Sequence, residues 1–512
     1  MRKGNIIELK IDRIAQGGRG VGRSQGLVVF VEGAIPGDTV RALLKTKKKD
    51  FAEAGVVEII LSSPDRVQAA CPYFGYCGGC RWQHVTYERQ LEYKKSLVME
   101  AMCRIGGLDD ILIHEPMGSE RIYGYRNKME FSFSDKPWVI DRPSSLLSPA
   151  ISPSPAPPSG GKGPIPSPLE KKNGERFAEG GRGDSLRALV LGLHVPGTFN
   201  KVIDVESCLL QEERGNEILR AVKRFAWESG LAPYNLKTHG GFWRFLTLRS
   251  SRFLKEWMVN VITSEYRKDL AENLGRHITS TFPDVKTVVN NVTARRAGVA
   301  VGEWESVVSG PGFIEDRIGA YAFQISANSF FQTNTAGAEK LYLKVAEFAE
   351  LTGSENVVDL YSGTGTISIF LASRSKRVIG MEISGTALED AEKNCRTNRI
   401  EKCRFILGDI RAALPSLSFK PDVLIIDPPR AGMHKDVTAK ILELGTEKII
   451  YISCNPVTMA RDLGEMKDYY EVVEIQPIDM FPHTHHVESV AKLRKRKMVR
   501  AVRPHGTPED FC

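Results

Sequence analysis

Residues 1–62 alternate between apolar and polar positions in short runs. IIELKI (6–11), LVVFV (27–31), VRALL (40–44) and GVVEII (55–60) are separated by the Gly-rich turn GGRGVG (17–22) and the turn GAIPGD (33–38). Successive side chains on a strand point to opposite faces, so the pattern predicts short strands. Five strands with Gly and Pro turns and a basic loop would suit a small closed β-barrel of the oligonucleotide-binding type. The period then changes. Over 86–105, Leu91, Leu97, Val98, Ala101 and Met102 recur at helical spacing. Strand-like runs at 125–133, 188–195 and 202–210, a helix at 218–230 and paired strands at 243–251 and 257–263 make the middle of the chain a mixed α+β region. From about 312 onward strands and helices alternate: a helix at 333–351, then VVDLY (357–361), VIGME (378–382), RFILGD (404–409), VLIIDPPR (423–430) and KIIYISCNP (448–456). That alternation predicts a doubly wound, Rossmann-like α/β domain with a mostly parallel sheet.

One stretch breaks these patterns. Residues 139–186 are rich in Ser, Pro and Gly and poor in aromatics. Such a segment cannot bury enough apolar surface to offset its chain entropy, so a disordered insertion is expected. The expected organisation is a barrel at 1–62, a central domain at 63–310 carrying the insertion, an α/β domain at 311–500 and a tail at 501–512. The 512 residues suffice for about three domains with cores of their own.

Charge modifies the picture modestly. Seventy Lys and Arg against 62 Asp and Glu leave a net charge of +8, compatible with a polyanionic partner. The cations cluster in KTKKK (45–49) and RKRK (494–497), which a solvated surface would also explain. The chain has no apolar run of membrane-spanning length, and its first residues have no secretory h-region. A cytoplasmic, monomeric protein without a membrane partner is expected.

The α/β region carries candidate chemistry. VVDLYSGTGTISI is a strand, a Gly-rich turn and a helix start, in which Gly363 and Gly365 let the backbone approach a ligand. Position 368 is Ser, which departs from the dinucleotide fingerprint G-x-G-x-x-G. Glu382 ends the next strand, where a carboxylate can accept from both hydroxyls of a ribose, and Asp409 ends the third, within reach of an adenine. A Gly turn and two acids in that order point to S-adenosylmethionine; a structural turn with surface acids is the plainer alternative.

The fourth strand ends in Asp427-Pro428-Pro429-Arg430 and the fifth in Ser453-Cys454-Asn455-Pro456. Arg430 stands where methyltransferases of exocyclic amino groups carry an aromatic, which disfavours that reaction. C5 of uracil is too weak a nucleophile for a sulfonium methyl, but a thiolate added at C6 makes C4–C5 an enolate that can attack. Cys454 would be that thiolate, and Glu488 in HTHHVESV (483–490) the base that then removes the C5 proton. A lone buried Cys is otherwise a small packing residue. His483, His485 and His486 raise a metal site as a further alternative.

Cys71-x5-Cys77-Gly-Gly-Cys80 gathers three thiols within ten residues, and Cys208 in VESCLL supplies a fourth. Four thiolates suit zinc or an iron–sulfur cluster, and spacing does not separate the two. Cys103, Cys395 and Cys403 read as packing residues and Cys512 as idle.

CPYFGYCGGCRWQH, GYRNKMEFSF, VESCLL, SFFQTN, DLYSGTGTISI, DPPR, SCNP and HHVESV occur in this order. Together they resemble the bacterial 23S rRNA (uracil-5-)-methyltransferases of the RlmD/RlmC type, over nearly the whole chain. The resemblance implies an N-terminal TRAM domain, a central RNA-binding domain and a C-terminal methyltransferase domain. It implies a [4Fe–4S] cluster at Cys71, Cys77, Cys80 and Cys208. It places S-adenosylmethionine against Gln332, Tyr361, Glu382 and Asp427, with Thr366 and Asp409 nearby, and makes Cys454 the nucleophile and Glu488 the proton acceptor. It sets the helix at 86–105 against the catalytic domain. The insertion and Ser362, where many relatives have Cys, depart from the family pattern. RNA is the implied partner, 23S rRNA ahead of tRNA. The alternatives are the same chemistry on tRNA and a non-catalytic or redox-responsive RNA-binding protein.

Overall fold

A computed structural model describes residues 1–136, 138, 189–198, 200–296 and 298–497. The insertion at 139–186, the tail at 501–512 and Cys512 lie outside the described residues.

Strands β1 (Ile6–Ala15), β2 (Arg19–Ser24), β3 (Leu27–Glu32), β4 (Thr39–Lys47) and β5 (Phe51–Leu61) close into a barrel in the order β1-β2-β3-β5-β4. Leu9, Ile11, Val29, Val31, Val40 and Ala52 alternate inward as its core. One expectation is corrected here: only the start of the Gly-rich stretch turns, and the chain is already extended from Arg19. Gly20 and Gly22 serve close approach instead. A Cβ there would stand 2.7 Å from the Ala34 carbonyl oxygen and 2.2 Å from that of Lys10.

Helix α1 (Tyr87–Ala101) continues as a π turn over Met102–Gly106, and β6 (Leu112–Ile113) follows. Val98, Ala101 and Met102 enter the core under the last sheet of the chain, and β6 pairs with that sheet's edge. Cys103 turns away from that stripe and is exposed, so it is not a packing residue.

The central sheet uses β7 (Lys128–Ser134), β8 (Val190–His194), β9 (Val202–Asp204), β10 (Trp243–Ser250), β11 (Trp257–Thr263), β12 (Val285–Val292) and β13 (Trp304–Ser309), in the order β13-β12-β11-β10-β7-β8-β9. The run 202–210 is extended only to Asp204 and then turns, which brings Cys208 inward. Helices α2 (Glu213–Glu228) and α3 (Lys268–Thr281) pack on one face through Ile218, Leu219, Val222, Leu274 and Ile278, against Phe131, Leu246, Leu248, Val259 and Val261. The other face mixes polar groups with apolar Met258 and Val289. Thr247 lies opposite Glu130 and Asn260, and Arg249 opposite Lys128.

A hairpin of β14 (Phe313–Ile318) and β15 (Tyr321–Ser326) joins this body to the last one. Its Ile314, Ile318, Phe323 and Ile325 share a core with Met258 and Val289 of the central sheet and with the helices that follow.

The last body comprises α4 (Thr335–Ala349), β16 (Asn356–Leu360), α5 (Thr366–Ala372), β17 (Arg377–Glu382), α6 (Gly385–Thr397), β18 (Cys403–Leu407), α7 (Ile410–Ala413), β19 (Val423–Ile426), α8 (Lys435–Leu444), β20 (Lys448–Ser453), α9 (Pro456–Met466), β21 (Tyr470–Ile478) and β22 (Glu488–Lys495). The sheet order is β18-β17-β16-β19-β20-β22-β21-β6. The first five strands are mutually parallel, and β22 returns antiparallel to β20. Val357, Val378, Ile425, Ile450 and Ile452 face one core, and Val358, Leu360, Leu424, Ile426 and Ile449 face the other. Both faces are therefore covered, as a parallel sheet requires. The strand order reverses between β16 and β19, which opens a crevice at their carboxyl ends.

Candidate active site at the strand ends

The turn after β16 forms one wall of that crevice. Tyr361, half-buried, holds a left-handed φ of 63°. The Gly363 N–H donates to Glu382 Oε2 at 2.9 Å, and the Ser384 N–H donates to Oε1 at 2.8 Å, so the acid at the end of β17 is fixed beside the turn. Gly365 caps α5 with φ 76°, and a Cβ on it would lie 2.8 Å from the Phe405 ring and 2.9 Å from Ala391. Gly363 differs: with φ 54°, it would point a Cβ into open space. An open cradle over a Gly turn with a carboxylate at its lip fits an adenosyl group. Thr366 pairs its hydroxyl with that of Tyr342 at 2.8 Å. Asp409 caps the short α7 by accepting from the Arg411 N–H at 2.9 Å and is ion-paired with the Arg411 side chain, which holds its carboxyl down at about 2. Gln332 lies on the segment before α4, where Asn127 Nδ2 donates to its carbonyl at 2.8 Å, and two residues earlier the Phe330 carbonyl accepts from the Thr364 hydroxyl of the turn at 3.2 Å.

The other wall holds the thiol. Ser453 of β20 pairs with Ser489 of β22, and continuing that antiparallel register by one residue sets Cys454 opposite Glu488. Asp427 stands one residue beyond β19, next in the sheet. Burial raises the Cys454 thiol to about 11; Glu488 and Asp427 push the same way, while the Arg430 guanidinium, a hydrogen-bond partner, opposes them. Glu488 is 6% exposed, and burial, helped by Asp427 and opposed by Arg430, raises its carboxyl to about 8. Burial raises Asp427 to about 6. One thiol, two carboxyls and one guanidinium thus share a corner in which Glu488 is buried, Cys454 and Asp427 are half-buried and Arg430 is exposed, an arrangement typical of sites that move protons.

Segment 479–487, which delivers Glu488, is held by a buried polar network. Lys94 and Asp479 form an ion pair with both side chains wholly buried, and Lys94 Nζ also donates to the Phe481 carbonyl at 3.0 Å. The Tyr87 hydroxyl donates to Asp479 Oδ2 at 2.9 Å, and the His483 N–H donates to Gln90 Oε1 at 2.8 Å. Asn334 Nδ2 donates to the Met480 carbonyl at 2.8 Å, and the Tyr125 hydroxyl to that of Pro482 at 3.1 Å. The N–H groups of Arg81 and Trp82 both donate to the His483 carbonyl. Burial lowers His483, His485 and His486 to about 4, 4 and 3, so all three are neutral near pH 7.

The four cysteines of the sequence pattern come together elsewhere. Cys71, Cys77, Cys80 and Cys208 line one cavity of about 520 Å³ beside β8. Burial lifts Cys80 to about 12 and Cys208 to about 11, with the neighbouring thiols adding to both. The Gly78 N–H donates to the His194 carbonyl at 3.1 Å and the Glu206 N–H to the Tyr73 hydroxyl at 3.0 Å, so the cavity joins segments far apart in the chain. Among the described residues, no three Cys, His, Asp or Glu side chains are arranged to hold one metal ion.

Residues 261–496 match the tRNA (uracil-5-)-methyltransferase family, and residues 2–57 match the TRAM domain. The chain is 39% identical over 500 residues to an uncharacterized RNA methyltransferase of Chlorobaculum tepidum, covering 96% of each chain. A Bacteroides thetaiotaomicron protein with the same description is 36% identical, over 94% of this chain and all of that one. The chain belongs to the RNA (uracil-5-)-methyltransferase family. In structure it is similar to the Pyrococcus abyssi tRNA (uracil-54, C5)-methyltransferase in complex with S-adenosyl-L-homocysteine. The TM-score is 0.69 at 28% identity, with 95% of this chain and 100% of that chain covered. The protein is thus a TRAM-containing, S-adenosylmethionine-dependent methyltransferase of the uracil-5 family. Among its described residues, no helix is long and apolar enough to cross a membrane.

For this methyltransferase the fold brings Cys454, Glu488 and Asp427 to one corner and Tyr361, Gly363, Gly365, Thr366 and Glu382 to the adjoining turn. Sequence reasoning missed the support behind them. Gln90 and Lys94 lie on the same helical stripe as Leu97, Val98 and Ala101, so their burial was readable as polar residues in apolar positions. Asp479, Tyr125 and Asn334 carried no comparable signal. Arg430 was read only as the absence of an aromatic, yet it is the cation facing Cys454.

Proposed function

We propose that this protein methylates C5 of a uridine in 23S rRNA. The observation that carries the reading is the shared corner of Cys454, Glu488, Asp427 and Arg430 at the edge that holds the Gly363 turn. Bound S-adenosylmethionine would supply an electrophilic methyl; Gln332, Tyr361, Glu382 and Asp427 would hold it, with Thr366 and Asp409 nearby. The Cys454 thiolate adds to C6 of the flipped uridine, and the electron pair displaced onto C4–C5 takes the methyl at C5. Glu488, as carboxylate, removes the C5 proton, and the C6–S bond breaks to release the thiolate. Arg430 favours the anionic sulfur. Burial raises both groups, so each favours its protonated form near pH 7 in the free protein and releases that proton to solvent before its step.

Cys71, Cys77, Cys80 and Cys208 would hold a [4Fe–4S] cluster. Three half-buried thiols and the buried Cys208 line one cavity, a four-thiolate set of the kind that holds an iron–sulfur cluster. Such a cluster would tie 71–80 to 194–208, and no catalytic step passes through it. Iron and sulfide analysis of anaerobically purified protein tests this; iron retained in full by Cys77→Ser would overturn it.

The substrate is tested by quantifying 5-methyluridine by mass spectrometry in 23S rRNA and tRNA from a deletion strain, with wild type or Cys454→Ala restored on a plasmid. Loss from 23S fragments, restored only by wild type, is expected. Loss from tRNA alone would replace the substrate and keep the chemistry.

A further inference from the structure

A second cavity, of about 660 Å³, opens at the end of β7 remote from the catalytic edge. The near end of β7 is tied to that edge: the Asn127 N–H donates to the Thr333 carbonyl at 2.9 Å. Ser134, at the far end, lines the cavity. Seven residues at roughly 3.3 Å each separate the two ends by about 23 Å. The mixed face of the central sheet runs between them through Lys128, Glu130 and Ser132.

The wall of the cavity has three kinds of group. Tyr234 offers a flat ring, backed by the Arg244 guanidinium at 4.0 Å, and Arg244 is fixed by donating from Nη1 to the Thr293 carbonyl at 2.7 Å. Asn200 offers a side-chain amide, while the Asn235 amide and the Ser134 hydroxyl are engaged with Asp135, Lys237, Thr238 and Lys136. His194, which lines both this cavity and the cysteine cavity, pairs Nε2 with the Ser132 hydroxyl at 2.8 Å, while its buried Nδ1 has no hydrogen-bond partner. Buried polar atoms are nearly always paired, so an unpaired one in a cavity wall marks a place for a ligand edge or water. At the rim stand Lys136, Lys237 and Arg296. The acid that lines it, Asp135, accepts from Asn235 Nδ2 at 2.9 Å. A planar slab, hydrogen-bonding edges and a cationic rim are what a nucleobase with its flanking phosphates requires.

We propose, on the reading that RNA is the substrate, that this cavity takes an unstacked nucleobase of the same RNA, about 23 Å from the catalytic edge. The base stacks on the Tyr234–Arg244 pair, its edge meets His194, and its phosphates lie on Lys136, Lys237 and Arg296. The enzyme thereby reads a second nucleotide at a set distance from the target uridine, which makes this a specificity site.

The test is steady-state methyl transfer by the full-length enzyme to total RNA from the deletion strain. Base stacking on an aromatic is worth roughly five- to 150-fold in affinity. Tyr234→Ala is therefore expected to raise KM for RNA by about tenfold or more, with KM for S-adenosylmethionine unchanged. Tyr234→Phe keeps the ring and the wild-type KM. The double variant Lys237→Ala/Arg296→Ala changes exposed side chains only, so it decides the matter should Tyr234→Ala fail to fold. Ultraviolet cross-linking should attach methylated RNA to the peptide bearing Tyr234. An unchanged RNA KM in folded variants overturns the site while leaving the enzyme's chemistry standing. Wild-type enzyme that methylates no RNA overturns both. Free nucleoside 5′-monophosphates that act through Tyr234 while RNA KM stays constant would assign the cavity to a free nucleotide and overturn its role in RNA reading.

Discussion

In the eight-stranded sheet both faces are apolar, and most of the proposed site residues stand at or just beyond its strand ends. In the seven-stranded sheet one face is apolar, while the other carries Lys128, Glu130, Thr247, Arg249 and Asn260. Several atoms on that face, Thr247 Oγ1, Arg249 Nε and Asn260 Nδ2 among them, are buried without a hydrogen-bond partner. The difference follows from connectivity. Parallel strands need helical crossovers, which cover both faces and leave only the ends for a ligand. A largely antiparallel sheet can carry polar side chains on one face. One sheet therefore concentrates chemistry at its strand ends, and the other buries polar groups such as Thr247, Arg249 and Asn260 on the face opposite its helices.

The strand-end side of this contrast should break hardest. Cys454→Ala is expected to lower methyl transfer by more than about 10⁴-fold, read by radiolabel incorporation, with thermal stability and S-adenosylmethionine binding unchanged. Glu488→Gln comes next, at about 10²- to 10⁴-fold. It should leave the C6–S adduct unresolved, seen as RNA that stays on the protein in a denaturing gel. Because the Glu488 carboxyl sits at about 8 in the free protein, kcat/KM of the wild type rises with pH through that value, and the variant loses this limb. The same shift costs stability. Unfolded Glu488 releases its proton near 4.5 while the folded group keeps it to about 8, so folding free energy falls as pH rises across that window, by up to about 1.4 kcal/mol per unit. Glu488→Gln should therefore melt above wild type at pH 8 and close to it at pH 5.

The two faces of the central sheet can be set against each other by unfolding in denaturant. Phe131, wholly buried on the apolar face, should cost about 3–5 kcal/mol when cut to Ala. Thr247→Val removes a hydroxyl that nothing pairs with and should change stability by less than about 1 kcal/mol. The smallest effect on function is expected from Gly365→Ala, which forces a Cβ against Phe405 and Ala391 at a left-handed φ. It should weaken S-adenosylmethionine binding about tenfold, roughly 1.4 kcal/mol by calorimetry.

Local pattern made much of this protein readable. The apolar runs that end in Leu360, Ile426 and Ser453 are buried on both faces, and such strands announce themselves. Gly365 was legible because a left-handed turn in close contact excludes other side chains. The strand from Arg19 was not legible, because its glycines answer a close approach by Ala34 and Lys10 that sequence does not display. Cys103 was misread because its place depends on which side of α1 meets the sheet.

Residue type and spacing sufficed to name Cys454, Glu488 and the four clustered cysteines as candidates, and the family resemblance then gave them their expected roles. That Cys454 stands near Glu488 just beyond the last pair of β20 and β22, that Lys94 reaches a residue 385 positions away, and that Tyr234, Arg244 and His194 wall one cavity are consequences of packing. These partners lie far apart in the chain, and local periodicity carries no information about which distant segments share a neighbourhood. The raised values of Cys454, Asp427 and Glu488 have the same origin, because desolvation exists only once the surrounding chain has closed over them.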